Sequence, residues 1–149
     1  MIIETKSKKV TLVYRTRKIV KITSLLKGKN FEELYFKAFS ESDIDALSKV
    51  IMIFAEDENT GLPAFESSEN VYDFMDDYMS EKEKTYQDIF AEIAEDINKM
   101  GFFRTKMTEE VLKAKMENYM VLDINKIVEA SAKEALKNVV GQELSISKA

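Results

Sequence analysis

The chain has 149 residues, of which 33% are charged and 45% hydrophobic, and it contains no cysteine and no histidine. This length fits a single domain over residues 1–149, and the composition excludes Ser-His-Asp and Cys-His nucleophiles, thiol redox chemistry and ordinary zinc sites. The net charge of −5 combines +8 over residues 1–30, −15 over residues 31–97 and +2 over residues 98–149. A basic head on an acidic body indicates surfaces that meet other macromolecules or other copies of the chain.

The first 15 residues predict a β-hairpin. Val10, Leu12 and Tyr14 alternate with Thr11 and Val13, and Ile2-Ile3 supplies a partner strand across Lys6-Ser7-Lys8. Because an isolated hairpin is barely stable in water, we expect it to pack on helices or to pair with another chain.

Helical spacing begins at Thr16, a typical N-cap residue, and a first helix is predicted to end near Gly28. Its apolar positions are Ile19, Ile22 and Leu26. Four basic residues accompany this stripe and predict a charged, solvated helix face that is a candidate protein-binding surface: Arg15, Arg17, Lys18 and Lys21.

Two further helices complete the segment 16–56. Asn30 is the predicted cap of the second helix, with an apolar stripe of Phe31, Leu34, Tyr35, Ala38 and Phe39. The third begins near Ser42, ends around Glu56 and carries the stripe Ile44, Leu47, Ile51 and Phe54.

Residues 57–67 are predicted to form a loop, because a glycine and the only proline of the chain lie close together at Gly61 and Pro63. Asp57, Asn59 and Gly61 superficially resemble the start of a calcium loop. The glycine and the later bidentate glutamate are out of register, so an ordinary solvated loop is favoured.

Residues 68–140 predict a second helical part. A fourth helix carries Val71, Phe74, Met75, Tyr78 and Met79, and a fifth carries Tyr86, Ile89, Phe90, Ile93, Ile97 and Met100 before Gly101. Thr108 opens a short sixth helix, Asp123 opens a last one, and residues 141–149 form a flexible tail. The expected fold is therefore mainly α, a compact bundle of about six to seven short helices with a small N-terminal β-hairpin.

Several carboxylates are spaced so that they share a helix face, namely Asp73 with Asp77, and Glu92 with Glu95 and Asp96. Such pairs can bind a divalent cation or provide a general acid, but helical metal sites usually combine Glu with His, which this chain lacks. A solvated acidic face is favoured, and we expect no catalytic residues, no metal and no cofactor.

Methionine is unusually frequent, with eight residues in the chain. Flexible Met side chains suit adaptable grooves for partner helices, whereas the simpler interpretation is gap-filling in a core of short helices. The candidate protein-binding residues of this region are Met75, Met79, Met116, Tyr119 and Met120.

Nucleic acid is the alternative partner of the basic head, since its lysines and arginines could contact phosphates. The following acidic segment, residues 31–97, would repel the same phosphates, and the aromatic residues follow helical core stripes. A small helical DNA-associated or regulatory protein is therefore the second hypothesis, behind a protein-binding role.

The order of segments resembles the tail assembly chaperones of long-tailed bacteriophages and prophages of Gram-positive bacteria. The likeness covers roughly residues 8–103. It is carried by the strand Lys9-Val10-Thr11-Leu12-Val13-Tyr14 before Arg15-Thr16-Arg17-Lys18, by Ile51-Met52-Ile53-Phe54-Ala55-Glu56-Asp57, by Val71 to Tyr78, and by Thr85 to Phe103.

The resemblance implies a helical protein of the host cytoplasm that binds the tape measure protein, helps to recruit tail-tube protein subunits and is absent from the mature virion. It also implies that a longer form arises by ribosomal frameshifting in many members. No run approaches the roughly 20 apolar residues that span a membrane, and the start lacks the apolar segment of a signal peptide. We further expect self-association, with the basic head of one copy against the acidic 31–97 region of the next.

Overall fold

The structure is a computed structural model that describes residues 1–118. Its elements follow in the order β1 (Ile2–Glu4), β2 (Lys9–Leu12), α1 (Thr16–Leu25), α2 (Phe31–Glu41), α3 (Ile44–Phe54), β3 (Ala55–Asp57), α4 (Ser68–Lys82) and α5 (Tyr86–Lys99). A sixth helix, α6, begins at residue 109 and is described to residue 118. The predicted mainly α fold with a small N-terminal β element is confirmed. The predicted last helix and the tail over residues 141–149 lie outside the described residues.

The N-terminal element is a three-stranded antiparallel sheet in the order β1-β2-β3. Ile3 pairs with Val10 across the predicted hairpin, and Leu12 of β2 pairs with Ala55 of β3. Ile3, Val10 and Leu12 are buried, whereas Ile2 is exposed, as the alternation of a half-buried strand requires. The hairpin therefore packs on the helices with one face, through side chains that the alternating pattern identified.

The third strand was not predicted, and the expected end of α3 at Glu56 is wrong by two residues. The helix ends at Phe54, and Ala55 takes an extended backbone conformation with ψ of 125°. Val13 N donates to the carbonyl of Phe54 at 2.9 Å, and β2 pairs with the next three residues. Pairing with a distant strand thus overrides the local helical pattern.

Four of the five helices α1 to α5 have a side-chain hydrogen bond at the N-cap. Asn30, Asp43, Ser67 and Thr85 each accept a hydrogen bond from a backbone N–H of the first turn. The exception is α1, where Arg15 occupies the N-cap position without a side-chain bond, and Thr16, the predicted cap, is the first helical residue. The predicted start of α3 also shifts, because Ser42 is the left-handed C-cap of α2.

The central helix of the fold is α3, which packs against α1, α2, α4 and β2. Its buried residues are Ala46, Leu47, Ser48, Val50, Ile51 and Phe54. The other large part of the core is aromatic, and it joins α2 to α5: Phe39 lies 5.8 Å from Phe90 between ring centroids, and the buried hydroxyl of Tyr35 donates to the carbonyl of Phe90 at 2.5 Å.

The predicted stripe of α5 is confirmed for Ile89, Phe90, Ile93 and Ile97, all of which are buried. Met100 was expected on the same face, but 59% of its surface is exposed. The helix ends at Lys99, and Gly101 turns the chain with φ of +81°, so Met100 no longer follows the helical face.

Candidate protein-interaction surfaces

An open groove of about 420 Å³ lies between α5 and α6. Ala91 of α5 and Leu112 and Met116 of α6 form its apolar floor together with Phe39 from α2. Leu112 and Met116 are one helical turn apart, so both side chains reach the same side of α6. Ligand-binding pockets typically have volumes of about 300–1,000 Å³, which places this groove in the size range of a binding site.

Two side chains, Asn98 and Glu32, hold α6 and the segment before it against the rest of the protein. Asn98 Nδ2 donates to the carbonyl of Met107, and Met107 N donates to Asn98 Oδ1, both at 2.8 Å. Glu32, which is 9% exposed, accepts from Lys115 Nζ at 2.8 Å and from Arg104 N at 3.2 Å. The wall of the groove that α6 provides is therefore fixed to α5 and to α2 by polar contacts as well as by Leu112.

The rim of the groove is acidic on both sides. Asp88 and Glu95 lie on α5, Glu109 and Glu117 lie on α6, and Lys113 is the one cation among the lining residues. Hydrogen bonds from the backbone and side chain of Thr85 lower the pKa of Asp88, which keeps this carboxylate charged. Each of the four acidic residues is exposed, so the rim presents negative charge to solvent.

Gln87 closes one side of the groove. Its amide nitrogen donates to Ser42 Oγ at 2.8 Å, while its buried amide oxygen has no hydrogen-bond partner within the described part of the chain. An acceptor without a partner is costly in a protein interior, and this one lies at the wall of an open groove.

The basic residues predicted on α1 divide into two pairs. Lys18 is mostly buried, and its Nζ contacts Glu56 Oε2 at 2.7 Å, while Arg15 Nε lies 3.7 Å from the same oxygen. Arg17 and Lys21 are exposed, and they take part in no ion pair within residues 1–118. Lys18 was expected on the solvated face, but it instead fixes α1 to β3 through Glu56.

The predicted methionine surface is only partly present. Met75 is 3% exposed and belongs to the core, and Met79 is half-buried against it. Met116 is 9% exposed and lines the groove between α5 and α6. Tyr119 and Met120 lie outside the described residues. Of the described methionine candidates, Met116 is the one that lines the groove, although it is itself part of the buried core.

The carboxylates at helical spacing serve different structural roles. Glu92 accepts from the hydroxyl of Tyr78 and from Lys84 Nζ, both at 2.8 Å, and burial together with this hydrogen bond raises the pKa of Tyr78 to about 12. Asp96 accepts from the hydroxyl of Tyr14 at 2.6 Å and from the N-terminal ammonium at 3.0 Å. Among residues 1–118, no group of three or more acidic side chains is arranged to hold a metal ion.

Phe39, Ala91 and Leu112 line the groove but were not among the predicted binding residues. Leu112 and Met116 recur at helical spacing, so the sequence could have predicted that they share the face of α6 that lines the groove. The presence of Phe39 and Ala91 opposite them depends on how α2 and α5 pack, which periodicity within one helix does not reveal.

Comparison with known proteins gives no match to a family model, to a curated protein or to a solved structure. No helix within residues 1–118 has both the length and the apolar character needed to cross a membrane.

Proposed function

We propose that this chain is a non-enzymatic tail assembly chaperone of a bacteriophage or prophage that binds the tape measure protein and helps to recruit tail-tube subunits. The observation that carries the proposal is the open apolar groove between α5 and α6, which is the size of a binding site and contains Met116. The resemblance over residues 8–103 supplies the identity of the partner.

The geometry supports a helix-binding role for a physical reason. A long, helical partner carries apolar stripes that must be covered until assembly, and an apolar groove between two helices binds such a stripe through side chains spaced i, i+3, i+4 and i+7. Met116 adapts to different side chains because Met is unbranched and flexible. One groove can therefore bind successive segments of a long partner.

Self-association is the second part of the proposal. Arg17 and Lys21 on α1 are exposed, and the outer face of α4 presents Asp73, Asp76 and Asp77. Opposite charges on different faces allow the α1 face of one copy to contact the α4 face of the next. Several copies could then bind side by side along one long partner.

Sedimentation velocity at low and high salt tests this contact. We expect Arg17→Glu/Lys21→Glu to remove a low-salt oligomer, whereas the equal charge change Lys29→Glu/Lys37→Glu, at exposed positions outside α1, should retain it. A wild-type monomer at both salt concentrations would refute self-association.

Co-expression with a tape measure protein, sought among the neighbouring genes, is the decisive experiment. We expect the two proteins to co-purify, and we expect Ala91→Arg, which places a long cation on the groove floor, to abolish co-purification. Ser80→Arg on the exposed surface of α4 is the matched control and should leave the complex intact. Failure of the wild-type chain to co-purify would refute the proposed function.

Two further expectations follow from the same proposal. A pulldown of the chaperone–tape measure complex should recruit the tail-tube protein. Mass spectrometry should detect the chain in infected or induced host cells and not in purified virions.

The DNA-associated alternative has less structural support than the charge count suggested. The candidate phosphate contacts are Lys8, Lys9, Arg15, Arg17, Lys18 and Lys21. Glu56 pairs with Lys18 and Arg15, and Glu58 pairs with Lys9, so half of these cations already have an acidic partner within residues 1–118. A gel shift with generic DNA and RNA at low salt separates the two functions, because the chaperone proposal expects no retardation.

A further inference from the structure

We propose that the groove between α5 and α6 selects amphipathic helical segments whose apolar stripe is flanked by lysine or arginine. This inference rests on the proposed protein-binding function and adds the chemistry of the segment that is bound. It follows from the floor of the groove, from the charge of its rim and from the composition of the remaining chain.

The walls set the length of the bound segment. The lining residues of α5 run from Gln87 to Glu95, and those of α6 run from Glu109 to Glu117. At a rise of 1.5 Å per residue, each wall is about 10–12 Å long, which corresponds to about two turns of a docked helix. Two successive apolar side chains, spaced i and i+3 or i+4, therefore fit over the floor.

The rim sets the charge of the bound segment. Acidic residues stand on both walls, and Glu95, Glu109 and Glu117 form no ion pair within the described part of the chain. A helix that carries lysines on both sides of its apolar stripe would place cations beside both walls. The unpartnered amide oxygen of Gln87 is a further acceptor that such a cation could reach after rotation of the amide.

Exposed charges of this kind select among partners more than they add affinity. A helix with glutamates in the flanking positions would meet like charge on both walls. The floor does not distinguish a helix with basic flanks from one with acidic flanks, because its residues are all apolar: Phe39, Ala91, Leu112 and Met116. Selectivity for a basic segment is therefore a property of the rim.

Residues 119–149 of the same chain are a poorer match by charge. This segment carries four lysines and four acidic residues, so it has no net charge to complement the rim. The α1 face of a second copy offers Arg17 and Lys21 but only Val20 and Leu25 as exposed apolar residues, and these lie on opposite sides of the basic pair. Neither occupant combines an apolar stripe with basic flanks as a separate amphipathic helix does.

The test uses the full chain and two synthetic helical peptides. Both peptides carry the same leucine stripe, and one has lysine at every flanking position where the other has glutamate. Fluorescence anisotropy of labelled peptides measures binding at low and high salt. We expect the lysine peptide to bind about tenfold more tightly at low salt, and we expect the difference to shrink as salt screens the rim.

Two charge variants separate the rim from the overall charge of the chain. Glu95→Lys/Glu117→Lys should remove or reverse the preference for the lysine peptide. Glu4→Lys/Glu66→Lys makes the same charge change at exposed positions outside the groove and outside the α4 face, and it should retain the preference. Far-ultraviolet circular dichroism confirms that each variant is folded. Equal affinity for the two peptides, or a preference that survives Glu95→Lys/Glu117→Lys, would overturn the inference.

A photo-crosslinking amino acid at position 91 identifies the occupant directly. Crosslinks to the lysine peptide support the inference, whereas crosslinks to residues 119–149 or to a second copy in the presence of that peptide overturn it. The proposed function is judged separately by co-purification with the tape measure protein. If the chain co-purifies with the tape measure protein but shows no peptide preference, the proposed function stands and this inference is refuted. If the chain prefers the lysine peptide but does not co-purify, the proposed function is refuted and the selectivity of the groove stands.

Discussion

Replacement of Tyr35 by phenylalanine tests the most buried polar contact of the core. The Tyr35 side chain is fully buried, and its hydroxyl donates to the carbonyl of Phe90 at 2.5 Å. Tyr35→Phe keeps the ring contacts and removes only this donor. Because a carbonyl within a helix also accepts from the backbone N–H four residues later, we expect the free energy of unfolding to fall by about 1–1.5 kcal/mol at neutral pH.

The difference in stability between the two proteins should disappear at alkaline pH. Burial raises the pKa of Tyr35 well above its ordinary value of 10.0, so the folded state keeps the proton that the unfolded state releases. The contribution of the Tyr35 hydroxyl to the free energy of unfolding is therefore fully present below about pH 10 and is lost above it. At pH 11 the free energy of unfolding should be lower by about 1.4 kcal/mol. The phenylalanine variant has no such loss, so the two proteins should become nearly equal in stability near pH 11.

Urea denaturation followed by far-ultraviolet circular dichroism measures both values, and a pH series gives the convergence. Tyr14 and Tyr78 also have raised pKa values, but their contributions are common to both proteins and cancel in the difference. Tyr72→Phe on the exposed side of α4 is the control and should change stability by less than about 0.5 kcal/mol at either pH. A constant difference between wild type and Tyr35→Phe from pH 7 to 11 would refute the reasoning.

Three further substitutions test the attachment of α6 and the turn before it. Asn98→Ala removes both hydrogen bonds to Met107, and we expect faster amide exchange over residues 102–108 with α1–α4 unaffected. Gly101→Ala forces a side chain into φ of +81° and should lower the melting temperature through a cost of about 1 kcal/mol, while a gain in stability would contradict it. Glu32→Gln removes the charge that faces Lys115 and should cost about 1–2 kcal/mol in urea denaturation, with a smaller loss when Lys115→Met is already present.

The helical parts of the fold could be predicted because apolar residues recur at helical spacing and most of the helices follow a typical cap residue. Asn30, Asp43 and Thr85 are typical cap residues, and the α5 stripe of Ile89 and Ile93 is buried as its spacing predicts. These features depend on residues that are close together in sequence, so a single sequence without homologues is enough to predict them.

The parts that were missed depend on distant contacts. β3 spans three residues directly after a helix, and only its pairing with β2 makes it a strand. The salt bridge of Lys18 with Glu56 arises from the same pairing. The groove was anticipated only through Met116, because its opposite side is formed by Phe39 and Ala91 from two other helices.

The pairing of β2 with β3 also sets an order of events during synthesis. Val10 emerges from the ribosome 47 residues before its partner Asp57 in β3, so at about 5–20 residues per second β3 follows several seconds later. Throughout that time, β2 can pair with β1, but its other edge has no partner strand. The lysines at positions 6, 8 and 9 stand beside these strands, and charged residues at such places oppose pairing with a neighbouring nascent chain. The basic head therefore has a use before the protein is folded, as protection for the edge of β2 whose partner strand is made last.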